Sequence, residues 1–263
     1  MKRTPITPDF DAVPERLHPF LHCPVFDSSC SPEARVWYLD TLDGLFLKTA
    51  PKGTLAQEAA GNRYFHQLGL GPQVLDYFTE KDDWLLTRAI PGEDCTHEVY
   101  LADPKRLCDT TAELLRQLHD RPITNCPLPD RMKVCYANAN QGFRQGYWEP
   151  DLFQGQWDFS TREEAWNTVQ ANFSHMRTDT LLHGDYCLSN ILLNSWQFSG
   201  FIDLGNAGIG DKHMDILWGT WTLQFNLKTN AYHDRFLDAY GRDHINPDLL
   251  RTAAAIEILT VTE

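Results

Sequence analysis

The chain has 263 residues, with 23 Lys+Arg against 36 Asp+Glu, a formal net charge of −13 at pH 7, and 12% aromatic residues. At roughly 150 residues per domain this length suits one large domain or two lobes, and the aromatic content argues against disorder. The charge argues against a nucleic-acid partner, which needs basic patches, and suits a cationic small molecule.

At the start of the chain, residues 1–20 lack the apolar core of a signal peptide, and no apolar run reaches the roughly 18 residues of a membrane span. A cytoplasmic protein, monomeric or dimeric and without a membrane partner, is expected. The cysteines Cys23, Cys30, Cys95, Cys108, Cys126, Cys135 and Cys187 are odd in number and form no C-x-x-C pair. Neither a disulfide framework nor a zinc site is therefore expected. His18, His22 and Cys23, interrupted by proline, read as ordinary surface. Residues 35–40 and 42–49 alternate as a hairpin turning at Asp43-Gly44. A helix is expected over 54–68, with Thr54 as N-cap, Gly69 past its end, and Leu55, Ala59, Phe65 and Leu68 at helical spacing.

Strand-like runs follow at 73–79 and 84–90, and Pro91-Gly92 breaks the pattern. Beyond it the chain turns helical, beginning with 104–119, where Leu107, Leu114, Leu115 and Leu118 share one side. The expected fold class is α+β, with a β-rich lobe over 1–90, a hinge near Ile90 to Gly92, and a helical lobe over 91–263. A β-like interruption spans 180–204. It contains a short strand, a polar loop (183–190), and a hairpin with arms 191–193 and 198–202 turning at 194–197. Residues 205–210 read as an irregular, flexible connector, and helices return at 213–227, 231–240 and 247–259.

The polar loop reads His183-Gly184-Asp185-Tyr186-Cys187-Leu188-Ser189-Asn190, and Asp203 ends the hairpin arm that follows. Asp185 is a candidate proton acceptor. Asn190 and Asp203 offer two hard oxygens, which suits Mg²⁺, an ion that takes few protein ligands and keeps water and phosphate. Upstream, the two-residue strand period puts Phe46 and Lys48 on one face, an aromatic plane beside a cation. Glu58 leans toward the apolar side of its helix, where pairing with Lys48 would offset the cost of burying a lone carboxylate.

The loop, with Gly200-Phe201-Ile202-Asp203-Leu204-Gly205, Asp211-Lys212 and Asp215-Ile216, resembles the aminoglycoside phosphotransferase family, relatives of protein kinases. Leu115-Arg116-Gln117-Leu118-His119 and Asn125-Cys126-Pro127 resemble its 3′-phosphotransferase branch, and the similarity runs from about Cys30 to the C-terminal helix. The resemblance implies a two-lobed kinase-like fold and Mg²⁺-dependent transfer of the γ-phosphate of ATP or GTP to an aminoglycoside hydroxyl, giving antibiotic resistance. It implies Asp185 as the catalytic residue, Asn190 and Asp203 as metal ligands, and Lys48 paired with Glu58 at the phosphates. Ser31 would contact phosphate, Phe46 would face the adenine, and the backbone of Arg88 and Ile90 would meet it. His183, Asp211 and Asp215 read as braces.

Polyamine recognition would fall to acids in the 145–164 insertion, with Glu149, Asp151 and Asp158 as candidates, and to Glu257. The chain departs from the family at Thr222 to Asn226, which holds no acid, at Asn206, where an arginine is common, and in its last five residues. Trp148, Trp157, Trp166, Trp218 and Trp221 crowd this half, mostly as core. One or two could line a cleft, which leaves a kinase of choline or an amino sugar as an alternative. A nucleotide-binding pseudokinase is the alternative of another class.

Overall fold

The alternation at the first hairpin gives strands Arg35–Leu39 and Leu45–Pro51 in a computed structural model that describes residues 3–30, 32 and 34–260. They pair antiparallel with Val36 opposite Lys48 and Tyr38 opposite Phe46. Gly44 makes the turn at φ +64°, a left-handed conformation that costs glycine least. Leu45 and Leu47 bury one face, while Phe46 and Lys48 stay partly accessible on the other.

Among the described residues this hairpin is the centre of a six-stranded antiparallel sheet. Its order is Thr4–Ile6, Val25–Asp27, Arg35–Leu39, Leu45–Pro51, Asp82–Arg88, Val74–Thr79. The two outermost N-terminal strands escape a periodicity argument because three residues are too few to show one. The helix forms at Ala56–Gln67 and stops before Gly69 at φ +72°. Thr54 does not cap it, because its hydroxyl turns back to Pro51 O at 2.7 Å. No side chain caps it; Asp83, on strand Asp82–Arg88, instead ties down the turn that leads into it, its Oδ2 accepting from Gly53 N and Leu55 N, both at 2.9 Å.

By packing, Met1–Asp94 associates with Leu192–Gly205 in one unit, and Cys95–Ile191 with Asn206–Glu263 in a second. A division at Ile90 to Gly92 assigns the 192–205 hairpin elsewhere. Strand Glu93–Asp94 draws it to the first unit by pairing with it, Glu93 opposite Leu193 and Asp94 opposite Leu192. Gly92 permits that approach, since a Cβ there would lie 2.3 Å from Leu193 O. The hairpin turn is Ser195 and Trp196, at φ +51° and +69°, the two positive values that a two-residue turn of matching twist requires.

The second unit is built from helices. Pro104–His119 begins with Asp103 Oδ1 accepting from Arg106 N at 3.2 Å and with Pro104 at the first position, where no amide bond is lost. It buries Leu107, Leu114, Leu115 and Leu118. Truncating one of these, such as Leu115→Ala, should cost about 2–5 kcal/mol. His213–Leu227 is buried nearly all round, and Gly219 admits the Phe236 ring, whose Cζ lies 2.5 Å from the site of a Cβ. That contact seats His233–Tyr240 against it, and Pro247–Ile258 packs alongside.

Residues 205–210 are not the flexible connector expected from their glycines. Gly208–Gly210 is a strand paired with Thr180–Leu182, Ile209 opposite Leu181. Gly208 and Gly210 are there for lack of room: Cβ atoms would lie 2.4 Å from Arg131 Cγ and 2.6 Å from Leu182 Cδ1. All seven cysteines are free thiols.

Candidate active site

In the first unit the exposed face of Leu45–Pro51 carries the pair expected from the strand period. Lys48 Nζ donates to Glu58 Oε2 at 2.7 Å and lies 3.4 Å from Asp203 Oδ1. Burial works against the Lys48 ammonium, but Glu58 and Asp203 outweigh it and hold its pKa above the ordinary value. Burial pushes the Glu58 carboxyl up, opposed by Lys48. Asp203 is the open member of the trio, its side chain 53% exposed and its backbone at φ +58°. A left-handed backbone at a non-glycine residue costs energy and turns the carboxylate out of the hairpin's line. Phe46 lies beside Tyr38, ring centroids 5.3 Å apart.

The Arg88 side chain is drawn away from any ligand role by an ion pair with Asp43 and a bond to Gln73 Oε1. Arg88 N meets Gln73 O at 2.9 Å and Ala89 N meets Gly44 O at 3.0 Å, while Ile90 packs against Gly200. Ser31 lies outside the described residues.

In the second unit the catalytic-type loop is over-determined by buried acceptors. Asp215, fully buried, receives His183 N at 2.7 Å and Gly184 N at 2.8 Å. His119 adds Nε2 at 3.3 Å, with its Nδ1 2.9 Å from Tyr240 Oη. Gly184 sits at φ +84° with a Cβ position only 2.0 Å from Asn206 O, so only glycine fits. Asp211 braces the next junction by accepting from Arg177 N at 2.7 Å and His213 N at 3.0 Å. His183, fully buried, takes Asp185 N on its ring at 3.3 Å and thus supports the loop.

Held by that frame, Asp185 has a donor on each oxygen. Asn190 Nδ2 donates to Oδ2 at 2.8 Å and Cys187 Sγ to Oδ1 at 3.1 Å. Because the Asn190 amide nitrogen faces Asp185, its oxygen is the end left for other partners, with Ser189 Oγ at 3.3 Å. Asn190 thus offers an amide oxygen and Asp203 an open carboxylate. Each, taken within its own unit, is a hard oxygen of the kind that Mg²⁺ takes.

The acids expected to meet an amine separate in the structure. Glu149 and Asp151 line a cavity of about 650 Å³ together with Trp221, Gln224, Phe225 and Lys228. Trp221 and Phe225 stack at 4.9 Å, and Lys228 Nζ lies 4.3 Å above the Phe225 ring. Asp158 lies outside that lining, its Oδ1 accepting from Gly155 N at 3.1 Å. Glu257 is half-buried on Pro247–Ile258, and burial pushes its carboxyl up to about 7 against the Trp218 indole and Arg131. Asn206 accepts from a guanidinium, with Arg131 Nη2 at 2.9 Å from its Oδ1.

Sequence reasoning overlooked Cys187, although its place two residues after Asp185 in a tight loop puts it within reach. Asp83 carried no local signal.

A model of the "Phosphotransferase enzyme family" matches residues 32–255. The "Probable aminoglycoside 3'-phosphotransferase" of Lactococcus lactis subsp. lactis is 42% identical over 95% of this chain and 96% of its own length. The aminoglycoside 3'-phosphotransferase of Niallia circulans is 31% identical over 78% of this chain and 80% of its own. Among solved structures, an aminoglycoside-3'-phosphotransferase of type VIII superposes with a TM-score of 0.71 at 22% identity, covering 88% of this chain and 91% of that one. An aminoglycoside phosphotransferase from Streptomyces rimosus, in complex with ADP and streptomycin, gives 0.65 at 21% identity, covering 91% of each chain.

Proposed function

The chain belongs to the phosphotransferase enzyme family, and from that premise we propose that it transfers the γ-phosphoryl group of ATP or GTP to an aminoglycoside, at the 3′-hydroxyl. Its fold is the kinase-like α+β fold of that family. The observation that carries the proposal is Asp185, fixed by donors on both oxygens in a loop tied to buried Asp215. The 3′ position is supported by the relatives at 42% and 31% identity, both described as 3'-phosphotransferases.

Phosphoryl transfer passes through a loose transition state, so positioning and charge neutralisation matter more than base strength. Asp185 orients the acceptor hydroxyl. As the new P–O bond forms and the bond to the β-phosphate oxygen breaks, the hydroxyl proton passes to its carboxylate. Lys48, aimed by Glu58, neutralises phosphate charge, as the strand lysine does in kinases. Phe46 and the backbone of Arg88 and Ile90 receive the base, and Ser31 is assigned a phosphate. Asn190 and Asp203 would hold Mg²⁺, which supplies further charge neutralisation when bound. Glu149, Asp151, Asp158 and Glu257 are assigned the ammonium groups of the acceptor. We place the activity in the cytoplasm, where nucleoside triphosphate is available, and its product would be an inactivated antibiotic.

The Trp221–Phe225 stack favours one second reading. Its outer face already carries the Lys228 ammonium, so it suits a small quaternary ammonium alcohol such as choline.

Nucleotide consumption should be measured with an aminoglycoside bearing a 3′-hydroxyl, with its 3′-deoxy analogue, and with choline. Turnover with the first alone supports the proposal. Equal turnover of the deoxy analogue overturns the 3′ assignment, and turnover of choline alone replaces the substrate.

A further inference from the structure

The two donors that fix Asp185 come from different residues of the loop. Its Oδ2 accepts from Asn190 Nδ2 at 2.8 Å, and its Oδ1 accepts from the Cys187 thiol at 3.1 Å. Cys187 N also returns to Asp185 O at 2.8 Å, which closes the backbone into a turn and keeps the thiol beside the carboxylate. The next residue of the turn is held by the Thr222 side chain, from helix His213–Leu227. Thr222 is 2% exposed, and its Oγ1 accepts from Leu188 N at 3.0 Å and Asn226 Nδ2 at 3.2 Å.

The thiol contact has one direction, because a carboxylate oxygen can only accept: Cys187 S–H to Asp185 Oδ1. Burial, with the Asp185 charge beside it, pushes the Cys187 thiol far up, so it stays protonated and keeps its donor.

We infer that Cys187, anchored by Thr222, is a positioning residue that fixes the plane of the Asp185 carboxylate. A carboxylate held by Asn190 alone can pivot about one contact, whereas donors on both oxygens allow one orientation. The inference rests on the proposed role of Asp185 as the group that receives the hydroxyl proton. Transfer depends on the placement of the reacting groups, so loss of the second anchor should slow turnover and leave substrate affinity alone.

The test uses the full chain with ATP and an aminoglycoside bearing a 3′-hydroxyl, and compares Cys187→Ala, Cys187→Ser and Thr222→Val, with Asp185→Asn beside them. Cys187→Ala should lower kcat about tenfold and leave KM for both substrates within about twofold. Cys187→Ser, which puts an O–H in place of the S–H, should recover most of that loss. Thr222→Val, which keeps the volume and removes the hydroxyl, should lower kcat about threefold. Without any turnover, the infrared S–H band, taken as the difference between the parent protein and Cys187→Ser, should lie at the lower frequency of a bonded thiol. It should rise in Asp185→Ala.

A parent-level kcat in folded Cys187→Ala, or Cys187→Ser as slow as Cys187→Ala, overturns the positioning role. An S–H band that Asp185→Ala does not move overturns the contact. Full activity in Asp185→Asn instead overturns the role assigned to Asp185. Should Cys187→Ala not fold, Thr222→Val and the infrared band still decide.

Discussion

Glu257 couples stability to pH in a direction opposite to that of most carboxylates. Burial raises its pKa from 4.5 to about 7, so between those values the folded chain holds a proton that the unfolded chain has released. Its contribution to stability is therefore fully present below about 4.5 and is lost as pH rises through about 7. At about 1.4 kcal/mol per pH unit the interval is worth at most about 3.5 kcal/mol, and partial solvent access should reduce this to about 1–2 kcal/mol. Glu257→Gln keeps the shape and an oxygen for the Trp218 indole but has no charge to desolvate. Urea unfolding from pH 5 to pH 8.5, with m held common, should find the variant more stable than the parent by about 1–2 kcal/mol at pH 8.5. The two should agree within about 0.5 kcal/mol at pH 5. A variant equally or less stable at pH 8.5, or a difference that does not change with pH, refutes the reasoning.

Lys48→Met should lower the transfer rate at least about 100-fold and destabilise the chain by about 1–3 kcal/mol, because buried Glu58 loses its counter-charge. Adding Glu58→Gln should restore stability in a denaturation curve and leave the rate low, and a double variant as active as the parent would remove Lys48 from the mechanism. Asp185→Asn should keep nucleotide binding and cost at least about 100-fold in kcat by steady-state assay, a loss in the range of general-base catalysis. Gly184→Ala should cost about 2 kcal/mol or more in thermal unfolding, since its Cβ would meet Asn206 O at 2.0 Å on a backbone at φ +84°. A Gly184→Ala variant of unchanged midpoint would show that the loop relaxes freely. At pH 7, aminoglycoside binding should release protons as Glu257 ionises beside an ammonium, seen as a calorimetric enthalpy that varies with buffer and is flat in Glu257→Gln.

What the sequence determined by itself was whatever short-range geometry controls. Strand period placed Phe46 and Lys48 on one face, and a contiguous loop carried Asp185, Asn190 and their spacing to Asp203. The helix at Pro104–His119 followed from one apolar stripe and an N-terminal proline, and its limits agree with the structure. Contacts between groups far apart in the chain were decided only by the tertiary structure. Thr54 caps no helix, and the turn before Ala56–Gln67 is fixed instead by Asp83, because two amides of that segment lie against its carboxylate. Gly208–Gly210 became a strand, because its glycines are needed for close packing and not for flexibility. Thr222 reaches the loop through the Leu188 amide, and Glu257 loses its ordinary acidity through burial. Periodicity and motif spacing carry no trace of such partners, because they encode which way a side chain points and not what the folded chain brings to meet it.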